Sequence, residues 1–149
     1  MDEDEYLKVQ IAAVRQTRKA LQLVDHDDYR SSYGNMVDAA IDRDPMAVEH
    51  AAFGTTNYES FAMAAVLKDP CALEYVKSNA DKYDELAWIA VNADKTMLQY
   101  VQSETENYDE LAMAAVNADK KLLQHVQFET EDYDELAMAA VDADKTMLQ

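Results

Sequence analysis

A chain of 149 residues with 49% hydrophobic content has enough apolar side chains to fold, so its 29% charged content does not signal disorder. Two glycines and two prolines exclude Gly-rich phosphate loops and Pro-rich linkers, and a lone cysteine, Cys71, excludes an internal disulfide framework and fits a reducing compartment. A formal charge of −17 repels nucleic acid and anionic membranes, whose recognition depends on Lys and Arg displacing counterions, and attracts a basic partner. No apolar run approaches the roughly 20 residues that cross a bilayer. The start Met1-Asp-Glu-Asp-Glu5 is the opposite of a basic leader. The expectation is an intracellular, cytoplasmic protein without membrane insertion.

The chain repeats itself every 25 residues. A divergent first unit opens at Tyr6, 27 residues before the next, with its Ala-Ala-Val at Ala12 to Val14. Lys8, Arg15, Arg18 and Lys19 give it the look of an N-terminal cap. Further units open at Tyr33, Tyr58, Tyr83, Tyr108 and Tyr133, and the last is incomplete at Gln149. The units at Tyr108 and Tyr133 share Tyr-Asp-Glu-Leu-Ala-Met-Ala-Ala-Val residue for residue. Nothing marks a domain boundary, so residues 1–149 read as a single array. Fixed periods of this size signify stacked units, each contacting mainly its neighbours.

With each tyrosine as offset zero, offsets 0, 3, 4, 7 and 8 are apolar, as in Tyr108, Leu111, Ala112, Ala115 and Val116. That is the stripe of an amphipathic helix of about ten residues. Ser32, Asn57, Asn107 and Asp132 precede their tyrosines as N-caps, and Glu110 and Glu135 complete capping boxes; Lys82 is a poor cap. A second helix is expected from offset 11, where Thr17, Asp44, Asp69, Asp94, Asp119 and Asp144 are capping residues and Pro45 and Pro70 follow directly. Its apolar positions are offsets 14, 15 and 18, as in Leu122, Leu123 and Val126. Polar stretches such as Gln102-Ser-Glu-Thr-Glu-Asn107 join the units. The small alanines at offsets 4, 6 and 7 let neighbouring helices approach closely. These features predict an all-α fold, an α-solenoid of six stacked helical hairpins.

The unit reads Asp84-Glu85, Ala90-Val91, Asn92 and Leu98-Gln99-Tyr100, with parallels along nearly the whole chain. In this it resembles a family of short helical-hairpin repeats common in protists and giant viruses and occasional in intracellular bacteria. A glycine common in that family's turn is replaced here by Ala93-Asp94 and Ala118-Asp119. The resemblance implies helical repeats and no established activity.

Acids are plentiful, but catalysis needs a carboxylate pair with separated environments in a pocket. Asp109-Glu110 and Asp134-Glu135 recur at identical offsets, where they serve helix starts. Asp42-Arg-Asp44 and Asp142-Ala-Asp144 lack the glycine and glutamate of a calcium loop. His50 and His125 share offset 17 with Leu23, Tyr75 and Tyr100, a packing flank rather than a ligand row. Cys71 has no His or basic residue close in sequence to support a thiolate. No catalytic residue, metal or cofactor is expected.

Offset 5 is the most suggestive position. It holds Ile11, Met63, Trp88, Met113 and Met138, interrupted by Asp38, and lies about 130° from the centre of the apolar stripe. Thioethers and a Trp there could grip a protein partner, with Asp109, Glu110, Asp134 and Glu135 beside them attracting its basic groups. Packing against repeats on both sides would instead bury the row, and burial is the expected outcome, with Trp88→Ala costing roughly 3–5 kcal/mol. The sequence thus points to a non-catalytic protein-interaction or structural subunit. The alternative is an acidic inhibitor that mimics nucleic acid in a basic groove. Leu136, Val141, Met147 and Leu148 keep the core pattern to the end, so the last repeat is expected to be covered by a partner, a second copy or further repeats.

Overall fold

The structure, a computed structural model, describes residues 2–24, 30–127 and 133–147. Among these the regular structure is entirely helical, alternating long α-helices with short 3₁₀ helices. The chain divides into two compact bodies, Met1–Asp81 and Lys82–Gln149.

The N-terminal body runs α1 (Glu3–Gln16), η1 (Arg18–Leu23), α2 (Arg30–Arg43), η2 (Pro45–His50), α3 (Tyr58–Lys68) and η3 (Pro70–Tyr75). Its α-helices pack in sequence, α1 on α2 and α2 on α3, and its 3₁₀ helices pack likewise, η1 on η2 and η2 on η3. The C-terminal body runs α4 (Tyr83–Ala93), η4 (Lys95–Tyr100), α5 (Tyr108–Ala118), η5 (Lys120–His125) and α6 (Tyr133–Met147). Here α4 packs on α5 and α5 on α6, while η4 sits against both η5 and the following α5.

The apolar stripe forms the core. Tyr83, Leu86, Ala87, Ala90 and Val91 of α4 are all buried, as are Tyr108, Leu111, Ala112, Ala115 and Val116 of α5. The alanines at these positions are 0% exposed, so the close helix approach that small side chains allow is realised.

In the first five repeats the second element is a six-residue 3₁₀ helix rather than an α-helix, which corrects the expectation. Its start explains why. Asp94 is extended (φ −141°, ψ 110°), and its Oδ1 accepts from the Thr96 N–H at 2.9 Å and the Thr96 hydroxyl at 2.7 Å. The Asp94 carbonyl then accepts from Met97 N at 3.0 Å, and Leu98 closes the far end by accepting from Val101 N at 3.1 Å. Both are i to i+3 bonds. The tighter winding aligns residues three apart, and Met97, Leu98 and the following Val101 are all buried. Asp44, Asp69 and Asp119 accept the same backbone bond from Met46, Cys71 and Lys121. Thr17 makes no such side-chain bond. Replacing Asp94 with Ala should cost about 1 kcal/mol of stability in urea denaturation, and Asp94→Asn distinctly less; equal losses would mean that the carboxylate's charge, not its acceptor, is what matters.

Two other expectations fail at helix starts and ends. Asn57 and Asn107 cap nothing with their side chains, and Ser32 lies inside α2. The capping box of Asn107 with Glu110 therefore does not form. The cause is the segment before each helix. Between residues 102 and 108 two turns follow one another, Thr105 N donating to Gln102 O and Tyr108 N to Thr105 O, at 3.1 and 3.0 Å. The chain enters α5 already wound, with Asn107 near φ −111°, ψ 29°, instead of the extended geometry that lets a cap side chain fold back. Lys82 has the same backbone geometry, which is why a residue with no capping ability stands there. Asp132 lies outside the described residues. In the last repeat, α6 continues through Asp144 to Met147 instead of breaking at offset 11. The break elsewhere accompanies a 3₁₀ helix seated on the next long helix, as η4 is on α5. Continuing the i to i−4 ladder satisfies the backbone of α6 locally.

Candidate functional site

Four of the repeat tyrosines, Tyr33, Tyr58, Tyr83 and Tyr108, have a role that their reading as apolar residues missed. The Tyr33 hydroxyl accepts from Ala52 N at 2.7 Å, that of Tyr58 from Lys77 N at 3.0 Å, and that of Tyr108 from Gln127 N at 3.1 Å. Tyr83 donates to the Tyr100 carbonyl at 3.1 Å and also faces the backbone of Gln102. The ring sits in the core at the start of one helix, and its oxygen fastens the far end of the same repeat. Burial raises the pKa of all four hydroxyls, partly offset by the backbone bonds. The signal was the recurrence of Tyr where Phe or Leu would fill the same space.

The offset-5 row is not core. Trp88 is 43% exposed and Met138 64% exposed, while Met63 and Met113 are half-buried. Trp88, Met113 and Met138 belong to the C-terminal body, on the consecutive helices α4, α5 and α6, and Met63 belongs to the N-terminal body. The expectation of burial is corrected. Neighbouring helices meet through offsets 0, 3, 4, 7 and 8, and offset 5 points along the rim of that contact. The Trp88 carbonyl accepts from Asn92 Nδ2 at 2.9 Å, and Lys95 Nζ donates to Asn92 Oδ1 at 3.1 Å, so a short polar chain lies beside the indole's backbone. Val141, on α6 with Met138, is 54% exposed.

Acids border this row. Glu85, Glu110, Asp134 and Glu135 are exposed, and Asp84 and Asp109 half-buried. Residues 82–149 hold fifteen acids against five bases, a net of −10. The C-terminal body therefore presents an indole and thioethers in register on successive helices, within a strongly negative field.

The remaining candidates stay apart. Among the described residues no three His, Cys, Asp or Glu side chains converge as a metal site. His50 Nδ1 pairs with Gln22 Nε2 at 2.9 Å inside the N-terminal body, and Cys71 is half-buried on η3. No helix among the described residues is long and apolar enough to cross a membrane. Comparison with protein-family models, curated proteins and solved structures yields no match.

Proposed function

We propose that this chain is a non-catalytic, acidic helical-repeat protein that binds a protein partner through the offset-5 row of its C-terminal body. Its repeats, five of a long helix followed by a 3₁₀ helix and a last one that is a single helix, stack as an α-solenoid, and its kinship is with the short helical-hairpin repeats of protists and giant viruses. The observation that carries the reading is the 43% exposure of Trp88 in register with Met113 and Met138. A large aromatic left half in solvent has no use in the fold, whereas Trp and Met anchors ringed by charge are what interface centres use. The bordering carboxylates select a partner whose apolar contact surface is rimmed by Lys and Arg.

Affinity capture with the full chain at low and high salt tests this reading. Binding that survives high salt and weakens about 30-fold on Trp88→Ala fits an apolar anchor worth about 2 kcal/mol. The same variant should lower stability by about 1 kcal/mol or less, because the indole is already half exposed. Binding that disappears in salt and ignores Trp88 would instead mean an acidic mimic of nucleic acid held in a basic groove.

A further inference from the structure

The whole chain contains four arginines, and three of them, Arg15, Arg18 and Arg43, line one cavity of about 520 Å³ in the N-terminal body. Val14, Gln16 and Thr17 at the end of α1 form one wall, and Ala40 and Asp44 at the end of α2 form the other. Part of this placement is structural, since Arg15 and Arg43 stand in the last turns of α1 and α2, where a cation favours the negative helix end. That effect acts on each helix separately and does not require the charges to converge.

Nearby carboxylates neutralise the cluster only in part, Asp44 facing Arg18 and Asp42 lying within the field of Arg15. Asp44 Oδ1 accepts from Met46 N at 3.0 Å, and its Oδ2 is 3.8 Å from Arg18 Nη1. Asp42 is bonded to Lys68 Nζ at 2.7 Å. Among the described residues, neither Arg15 nor Arg43 is ion-paired. Arg18 is held in place from a second side, its Cζ lying 5.4 Å above the ring of Tyr75 on η3. Three cations against one carboxylate give the lining itself +2 in a chain of −17, with Asp42, held by Lys68, just outside it.

We propose that this cavity binds a small phosphate-bearing molecule, with Arg15, Arg18 and Arg43 gripping its phosphate dianion. Guanidinium forks match phosphate oxygens in geometry, and a lining of +2 matches a dianion in charge. A volume near 520 Å³ suits a small molecule. The −17 envelope disfavours an extended polyanion, which would have to lie along the acidic surface as well as in the cavity. The site belongs to the N-terminal body and does not depend on the function proposed for the offset-5 row of the C-terminal body.

Calorimetric titration of the full chain with inorganic phosphate and pyrophosphate, and with acetate at matched ionic strength, provides the test. The expected result is saturable one-to-one binding of both phosphates, at least about tenfold tighter than acetate. Arg15→Gln and Arg43→Gln should each weaken it about tenfold or more, with unliganded helicity and melting preserved, since both side chains are exposed. Arg43→Lys, which keeps the charge and loses the fork, should fall between wild type and Arg43→Gln. Failure to saturate, indifference to the arginine substitutions, or equal affinity for acetate would each overturn the assignment.

Discussion

Tyr58→Ala is expected to destabilise the protein by about 3–5 kcal/mol, and Tyr58→Phe by only about 1 kcal/mol. Tyr58 is 1% exposed, and its ring meets Phe53 edge to face with centroids 5.1 Å apart. Alanine removes the ring, the edge contact and the hydroxyl bond to Lys77 N together. Phenylalanine keeps the ring and leaves only one backbone N–H to find another partner, and Lys77 is exposed, so water can serve. Urea denaturation of both variants measures the split. Comparable losses would show that the bond matters more than the packing, and a loss under about 1 kcal/mol for alanine would show that the tyrosine is not a core residue.

The same tyrosines should make the protein fail steeply in alkali. Tyr33, Tyr58, Tyr83 and Tyr108 are four of nine tyrosines, and burial holds each hydroxyl protonated beyond its ordinary range. Their folded pKa values lie above the unfolded value of about 10. The unfolded chain therefore releases these protons first. Their contribution to stability is complete below about pH 10 and is lost as pH rises through the folded values. Deprotonation of lysines deepens the negative charge in the same window and acts in the same direction. Tyrosinate absorbance and helical circular dichroism, followed together, should show a fraction of tyrosines ionising late and in step with helix loss. Tyr58→Phe should shrink that late fraction. Ionisation of all nine tyrosines ahead of any loss of helix would contradict this account.

The sequence made the long helices legible because their five-position stripe is compatible with one period only. Leu86, Ala87, Ala90 and Val91 fall where the stripe puts them, and each is 0% exposed. The position of the second element was equally legible, from the aspartates at offset 11. Its winding was not, because Met97, Leu98 and Val101 at offsets 14, 15 and 18 suit a 3₁₀ helix and a short α-helix alike. Asn57 and Asn107 misled because capping preference describes a side chain free to fold back, and a turn upstream had already fixed their backbone. Trp88 was placed correctly on the wheel, but composition says nothing of how far a flank position is covered. The arginine cavity was hidden because its residues come from two different repeats. Its sequence trace is the confinement of all four arginines to the first 43 residues.

The tyrosine fastening also bears on how such a chain can grow. In three repeats the hydroxyl bonds a backbone N–H 19 residues downstream, at Ala52, Lys77 and Gln127, so donor and acceptor always travel within one 25-residue block. A gene segment copied or deleted in steps of 75 nucleotides therefore carries its own lock and leaves the other locks intact. The identical stretches Tyr108–Val116 and Tyr133–Val141 look like the trace of such a copying event. A protein whose fastening residues came from distant elements would have to change two places at once to lengthen. This one can change its number of repeats by a single recombination, and drift at offset 5 can then give each copy a different outward side chain.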